Sequence, residues 1–256
     1  MYKRSADFKR DALDSLRGKW GISLVVSLIV VLLGGDSSGS SFSYNLFNGL
    51  NSSTGGNSIF MDNFADNFSG NFPDITAAPY SYILSSILAT SAIVIFVFSL
   101  AWSIIGASAT LGHKLYYTSL IRREAVRVDM IFSRFTIWLK AWGLSLFTGL
   151  FIFLWSLLLI IPGIIAAYRY SMAPYIMSEN PDIGIREAVD ISKDMMNGNK
   201  GRLFVLELSF IGWAILASFT LGIGFLWLNP YMEAARASFY LDVSGRGAAP
   251  SPDYQP

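Results

Sequence analysis

Residues 157–182, LLLIIPGIIAAYRYSMAPYIMSENPD, constrain this chain more than any other stretch. The run is apolar enough to sit in a bilayer, yet it holds Pro162-Gly163 near its start and Arg169 and Pro174 further in. As one helix continuing the apolar run 141–161, it would bury Arg169 past the end of a single span. The basic segment that follows would then be carried to the far side. As a hairpin turning at Pro162-Gly163 it makes two spans, and Pro-Gly is the expected chemistry of a tight turn.

Charge decides between the two. If Pro162 and the stretch Leu221, Gly222, Ile223, Gly224 both lie inside long single spans, there are four spans. Arg169, Arg186, Lys193, Lys200 and Arg202 then fall outside. If both are outer turns there are six, the last three at about 163–178, 203–220 and 225–243. Of the 19 basic residues only Arg169 and Arg236 are then within the membrane, and the rest face the cytoplasm. Lysine and arginine concentrate on the cytoplasmic side, so the sequence predicts six spans with both termini inside. Composition agrees: 53% of residues are hydrophobic and 14% charged, against about a quarter charged in soluble domains. The expected fold is all-α, a polytopic membrane helical bundle of six spans with interfacial amphipathic helices.

In chain order, residues 1–19 read as a cytoplasmic amphipathic helix. Phe8, Ala12, Leu13, Leu16 and Trp20 form a stripe at helical spacing amid Lys3, Arg4, Lys9, Arg10, Arg17 and Lys19, a pattern that suits anionic headgroups. Residues 20–33 form an uncleaved first span, since no A-x-A-like cleavage site follows the run. Residues 34–79, rich in Gly, Ser and Asn and without Lys or Arg, read as an external low-complexity loop; its triplets at Asn51 and Asn67 match a glycosylation acceptor. Residues 80–243 form a five-span bundle with cytoplasmic loops at about 113–140 and 179–202, and 244–256 a disordered cytoplasmic tail. Ser103 with Ala107 and Gly106 with Thr110 offer small residues for close packing in lipid. Val128, Ile131, Phe132 and Phe135 mark a short interfacial helix. Asp182 caps a connector helix whose apolar face is Ile185, Ala188, Val189, Met195 and Met196.

Four charges lie inside the predicted spans: Arg169, Glu207, Glu233 and Arg236. Each costs roughly 2.5 to 3.5 kcal/mol in a bilayer and should find a partner inside the bundle. At ~1.5 Å per residue, Arg169 lies about 9 Å and Glu233 about 13 Å below their turns, and Arg236 and Glu207 match in depth as well. The sequence therefore predicts a buried charge network of these four with Tyr168, Tyr170 and Tyr231 nearby. A polar cluster fixing helix register is the preferred reading, a substrate or proton path the other. The helix turns and breaks are assigned to Pro162, Gly163, Pro174, Gly222, Gly224 and Pro230.

Chemistry finds little support. With no cysteine and one histidine, the chain has no thiolate or clustered metal site, and no cofactor, metal or catalytic residue is expected. Ser108 and His113, five apart on one helix, point about 140° apart and do not make a hydrolase pair. The dispersed basic residues exclude a nucleic-acid surface. The expected partners are membrane lipids, with other membrane proteins or a second copy.

The segments IIPGIIAAYRYSMAPYIMSENPDI, DISKDMMNGNKGRLFVLELSFIGW and TLGIGFLWLNPYMEAARASFY resemble the bacterial integral-membrane family called domain of unknown function 975. DFKRDALDSLRGKWG and MIFSRF are similar too, with Arg134 where the family pattern has a glycine. The resemblance implies a multi-span protein of the bacterial plasma membrane with no established activity, and it supplies no catalytic residues. The expected role is a non-enzymatic membrane-embedded accessory or scaffold protein, with transport of a small solute or lipid the alternative.

Overall fold

The structure is a computed structural model that describes residues 3–35, 78–220 and 222–245. The predicted features of the external loop from Asp36 on, Asn51 and Asn67 included, as well as Leu221 and the tail from Arg246, lie outside these. The chain divides into two units, Phe42–Trp102 and the remainder (Met1–Ser41 with Ser103–Pro256). The described residues are helical: α1 (Ser5–Leu16), α2 (Trp20–Leu32), α3 (Ala78–Ile121), a 3-10 helix η1 (Val128–Ile137), α4 (Trp138–Leu158), α5 (Ile160–Tyr170), α6 (Ala173–Glu179), α7 (Ile185–Met195), α8 (Lys200–Leu208), α9 (Ile211–Phe219) and α10 (Phe225–Val243). In the smaller unit α3 exposes consecutive apolar side chains from Ile93 to Phe98.

Among the described residues, three stretches are long and apolar enough to cross a membrane: Ala89–Ile121, Val128–Leu158 and Lys200–Phe219. The pair α1 and α2, bent by 103°, makes a fourth if counted as one span. Six crossings need α5, α6 and α10 as well, and these differ in kind. The α5–α6 stretch is broken at Ser171 and Met172. α10 carries Glu233, Arg236 and Asp242, and most of it from Leu228 onward is enclosed by protein.

The larger unit is organised on α10. Against expectation, α1 turns its stripe of Phe8, Ala12 and Leu16 onto protein and not onto lipid. Phe8 packs edge-on against Phe239 at 5.4 Å, and Asp11 accepts hydrogen bonds from Lys3 and Ser238. Arg202 clamps the assembly, pairing with Asp242 at 2.6 Å and donating to the Lys3 carbonyl. The elbow after α1 is Gly18 at φ +74°, a left-handed conformation that glycine adopts without steric cost.

Several boundaries move. The predicted loop at 113 begins only after Ile121, so His113 and Lys114 belong to α3. η1 is wound at three residues per turn, so Val128, Ile131, Arg134 and Ile137 share the inward face. Ile131 is buried and Phe132 exposed, which corrects the face expected from a 3.6 period. A Cβ on Gly112 would fall 2.1 Å from the Ile131 carbonyl oxygen. Gly184, not Asp182, caps α7, and the Asp182 carbonyl accepts from Lys140. α7 buries Ala188, Val189 and Ser192 in a face that packs on α5 and α6.

Two hairpins share one construction. The first reverses at Leu159, whose extended backbone (φ −161°, ψ 144°) precedes Pro162 by three residues. Pro162 thus lies in the first turn of α5, where its missing N–H leaves no bond unmade. The second reverses around Gly222 at φ +86°. A Cβ on Gly163 would meet Ser156 Cα at 2.8 Å, and one on Gly224 would meet Ala217 Cα at 2.8 Å. Each glycine lets the returning leg touch the residue seven positions earlier. The order is mirrored: continuous α4 then broken α5 and α6, against broken α8 and α9 then continuous α10. Both breaks are closed by a serine donating back three residues, Ser171 to the Tyr168 carbonyl at 2.8 Å and Ser209 to the Leu206 carbonyl at 2.6 Å. Pro174 follows the first break at the start of α6; Pro230 is inside α10.

Candidate functional site

Glu233, on the buried face of α10, is the centre of the polar interior, with no exposed surface. Its Oε2 accepts a 2.8 Å hydrogen bond from Lys114 Nζ and lies 4.0 Å from His113 Nδ1, while Oε1 lies 3.6 Å from Arg236 NH1. Arg236, one helical turn on, donates to Glu207 Oε1 at 2.7 Å, and Tyr168 OH donates to Glu207 Oε2 at 2.5 Å. Lys114 also lies 5.1 Å from the Tyr175 ring centroid, and Tyr175 stacks on Tyr240. Tyr240 donates to Glu179, which Arg122 also pairs. An anion enclosed by cations in this way avoids the several kcal/mol that an uncompensated buried charge costs.

Of the four charges singled out in the sequence, the structure brings three together: Glu207, Glu233 and Arg236. Arg169 is exposed and does not pair with Glu233; only its backbone carbonyl is used, accepting from Ser192 at 2.9 Å. Its predicted place is taken by Lys114 and His113. Both stand in a stretch that reads as loop, and the available signal was the small-residue pattern through Gly106 and Gly112, which marks α3 as tightly packed. Gly106 abuts Gly34 so closely that a Cβ would lie 2.2 Å from the Gly34 carbonyl oxygen.

The network continues into α2. His113 Nε2 lies 3.3 Å from Ser27 Oγ, Ser27 lies 2.9 Å from Tyr117 OH, and Ser23 lies 3.1 Å from Tyr116 OH. Ser27, His113 and Glu233 thus stand in the order of a nucleophile, base and orienting acid. The geometry does not serve catalysis: 4.0 Å is no hydrogen bond, Ser27 is shared with Tyr117, and all three side chains are buried. Ser108 is also buried, donating to the Ile104 carbonyl.

Exposure along the network is graded. Glu207 is 27% exposed, Arg236 12% and Glu233 0%; the branch to Ser23 and Tyr116 is closed, whereas the branch to Glu179 ends on Arg122, 27% exposed. Between Glu207 and Glu233 stands a guanidinium, which holds its protons at any ordinary pH. Both helix breaks adjoin this opening, through Tyr168 near the first and Glu207 near the second. Carbonyls there are occupied from within the protein, Ser209 by Lys9 Nζ at 2.8 Å and Arg169 by Ser192.

A family model described as "Protein of unknown function (DUF975)" matches residues 156–247. That stretch is similar to DUF975. The matched stretch holds Tyr168, Glu207, Glu233 and Arg236, both helix breaks and the second hairpin. His113 and Lys114, like the N-terminal and MIFSRF segments, lie outside the matched residues. No curated protein and no solved structure matches the chain.

Proposed function

We propose that this protein is a non-enzymatic, membrane-embedded accessory or scaffold protein of the bacterial plasma membrane. It acts through helix and loop contacts with lipids and with other membrane proteins or its own copies. The observation that carries this reading is the ion cluster built into the bundle: Glu233, fully buried, is held by Lys114 at 2.8 Å, and Arg236 pairs Glu207 at 2.7 Å. Ion pairs of this kind fix helix register and need no ligand. The apolar helices support membrane embedding, and the positive-inside pattern supports six crossings with cytoplasmic termini.

Transport of a small solute or lipid is the second reading. It is favoured by the two broken helices meeting at Tyr168 and Glu207, since transporters build sites at such breaks. Reversing the pair, Glu207→Arg with Arg236→Glu, separates the two. A scaffold regains both thermal stability and whatever cellular phenotype the single variants lose. A double variant that regains stability without the phenotype moves the assignment to transport.

A further inference from the structure

The start of α2, α9 and the first turns of α10 enclose an apolar groove of about 330 Å³ whose walls include Trp20, Trp213, Thr220, Trp227, Leu228 and Tyr231. Three of the chain's seven tryptophans meet there, and Trp213 and Trp227 are 58% and 53% exposed. Indoles favour sites with one apolar and one wet end, and the volume falls within the range of about 300 to 1,000 Å³ typical of small-ligand sites. Thr220 is occupied by the hairpin turn, donating to the Ala217 carbonyl and accepting from Gly224 N–H. The groove therefore suits an apolar guest.

Cations stand at two flanks. Trp20 directly follows Lys19, and Arg17 lies three residues before it, at the α1–α2 elbow. Arg17 is exposed, with Asp14 at 3.9 Å. Lys19 Nζ reaches the Glu124 carbonyl at 3.4 Å, which brings the elbow beside the end of α3, where Arg123 is exposed and held at φ +60°. On the other flank Lys9 Nζ sits 4.4 Å from the Phe210 ring centroid, and Phe210 packs edge-on against Tyr231 at 5.1 Å. An apolar groove with cations at its flanks is complementary to an amphiphile with a negative head.

We propose that the groove holds one acyl chain of an anionic phospholipid whose phosphate rests against Arg17 and Lys19, with Arg123 adding charge from the end of α3. The site rests on the membrane reading above and goes beyond it by naming where a lipid sits and which headgroup it carries. A zwitterionic lipid fills the same groove but gains far less from the elbow.

Full-length protein reconstituted in phosphatidylcholine vesicles tests this. Flotation comes first: protein that does not float with the vesicles overturns the membrane reading and the site together. Tryptophan fluorescence is then followed as brominated phosphatidylglycerol or brominated phosphatidylcholine is added. The expected result is half-quenching at an about fivefold lower mole fraction of phosphatidylglycerol, the preference that one interfacial cation typically confers. Arg17→Glu with Lys19→Glu, or Arg123→Glu alone, narrows that gap and leaves quenching by phosphatidylcholine unchanged. Trp20→Phe, Trp213→Phe and Trp227→Phe together remove the low-fraction quenching. Floating protein with equal quenching by both lipids overturns the site alone, as does a preference that survives the elbow reversals or the triple tryptophan replacement.

Discussion

Glu233 and Lys114 make a buried pair in a place where water cannot substitute for a lost partner. Removing one member of such a pair costs about 3–5 kcal/mol, because the other charge stays buried, whereas neutralising both costs much less. Lys114→Met is therefore expected to lower stability by about 3 kcal/mol, and adding Glu233→Gln should recover most of that. Thermal unfolding of the three variants in one detergent checks it; equal losses in single and double variants would contradict the pairing. Arg236→Ala, which strips cations from both Glu207 and Glu233, falls in the same costly class. Arg169→Ala is expected to change stability by no more than about 0.5 kcal/mol, the usual limit for exposed positions. That contrast shows where sequence reading stops. Glu207, Glu233 and Arg236 are legible because ionisable groups in apolar runs must find partners. A depth count that assumes straight, uninterrupted helices pairs Arg169 with Glu233, and the break at Ser171 defeats that assumption.

Gly163 and Gly224 were legible as turn residues, but their task is different from bending the chain. Each lacks a side chain so that a returning helix can touch Ser156 or Ala217. Gly163→Ala and Gly224→Ala are expected to cost about 1–3 kcal/mol each, as overpacking does. Gly212, inside α9 with nothing within 4 Å of its would-be Cβ, behaves oppositely: Gly212→Ala should stabilise by about 0.4–1 kcal/mol through the unfolded chain. Unfolding midpoints in detergent for the three alanine variants decide it, and a loss at Gly212 matching that at Gly163 would refute close contact as the cause. Pro-Gly is a strong turn signal and places the first reversal three residues late, whereas the break uses Leu159, a residue with no turn signature. η1 was misfaced for a comparable reason: four apolar residues fit either a period of 3.6 or a period of three, and only packing against Gly112 selects the second. The amphipathic stripes of α1 and α7 are legible in the sequence apart from Leu13, which is 42% exposed, yet their partners are helices of the same chain. A stripe records that a surface is covered and carries no information about what covers it.

At the scale of the whole molecule, the outcome turns on where the second hairpin ends. The positive-inside pattern puts Arg17 on the cytoplasmic side and the turn at Ile223 on the outer side, separated by a hydrocarbon core of about 30 Å. Yet Trp20 borders the same groove as Thr220 and Gly224, so the elbow and the hairpin tip are neighbours. For both statements to hold, the elbow must dip into the bilayer, which its apolar neighbours Ile22 and Val25, both exposed, would favour and Arg17 would resist. α9 contributes only about 14 Å of rise and needs α8, beyond the break at Ser209, to complete a crossing. Because the chain has no cysteine, single thiols report position directly. Arg17→Cys and Ile223→Cys, each in otherwise unaltered protein in sealed cells, are treated with a membrane-impermeant maleimide, with Asn199→Cys as the reference for the connector between the hairpins. Six crossings require Ile223→Cys to react from outside while Arg17→Cys and Asn199→Cys react only after permeabilisation. If Ile223→Cys and Arg17→Cys both stay protected until the cells are opened, the second hairpin returns to the side it entered from. Because its tip then never reaches the outer face, the chain crosses fewer than six times, and the groove beneath the elbow belongs to the inner leaflet.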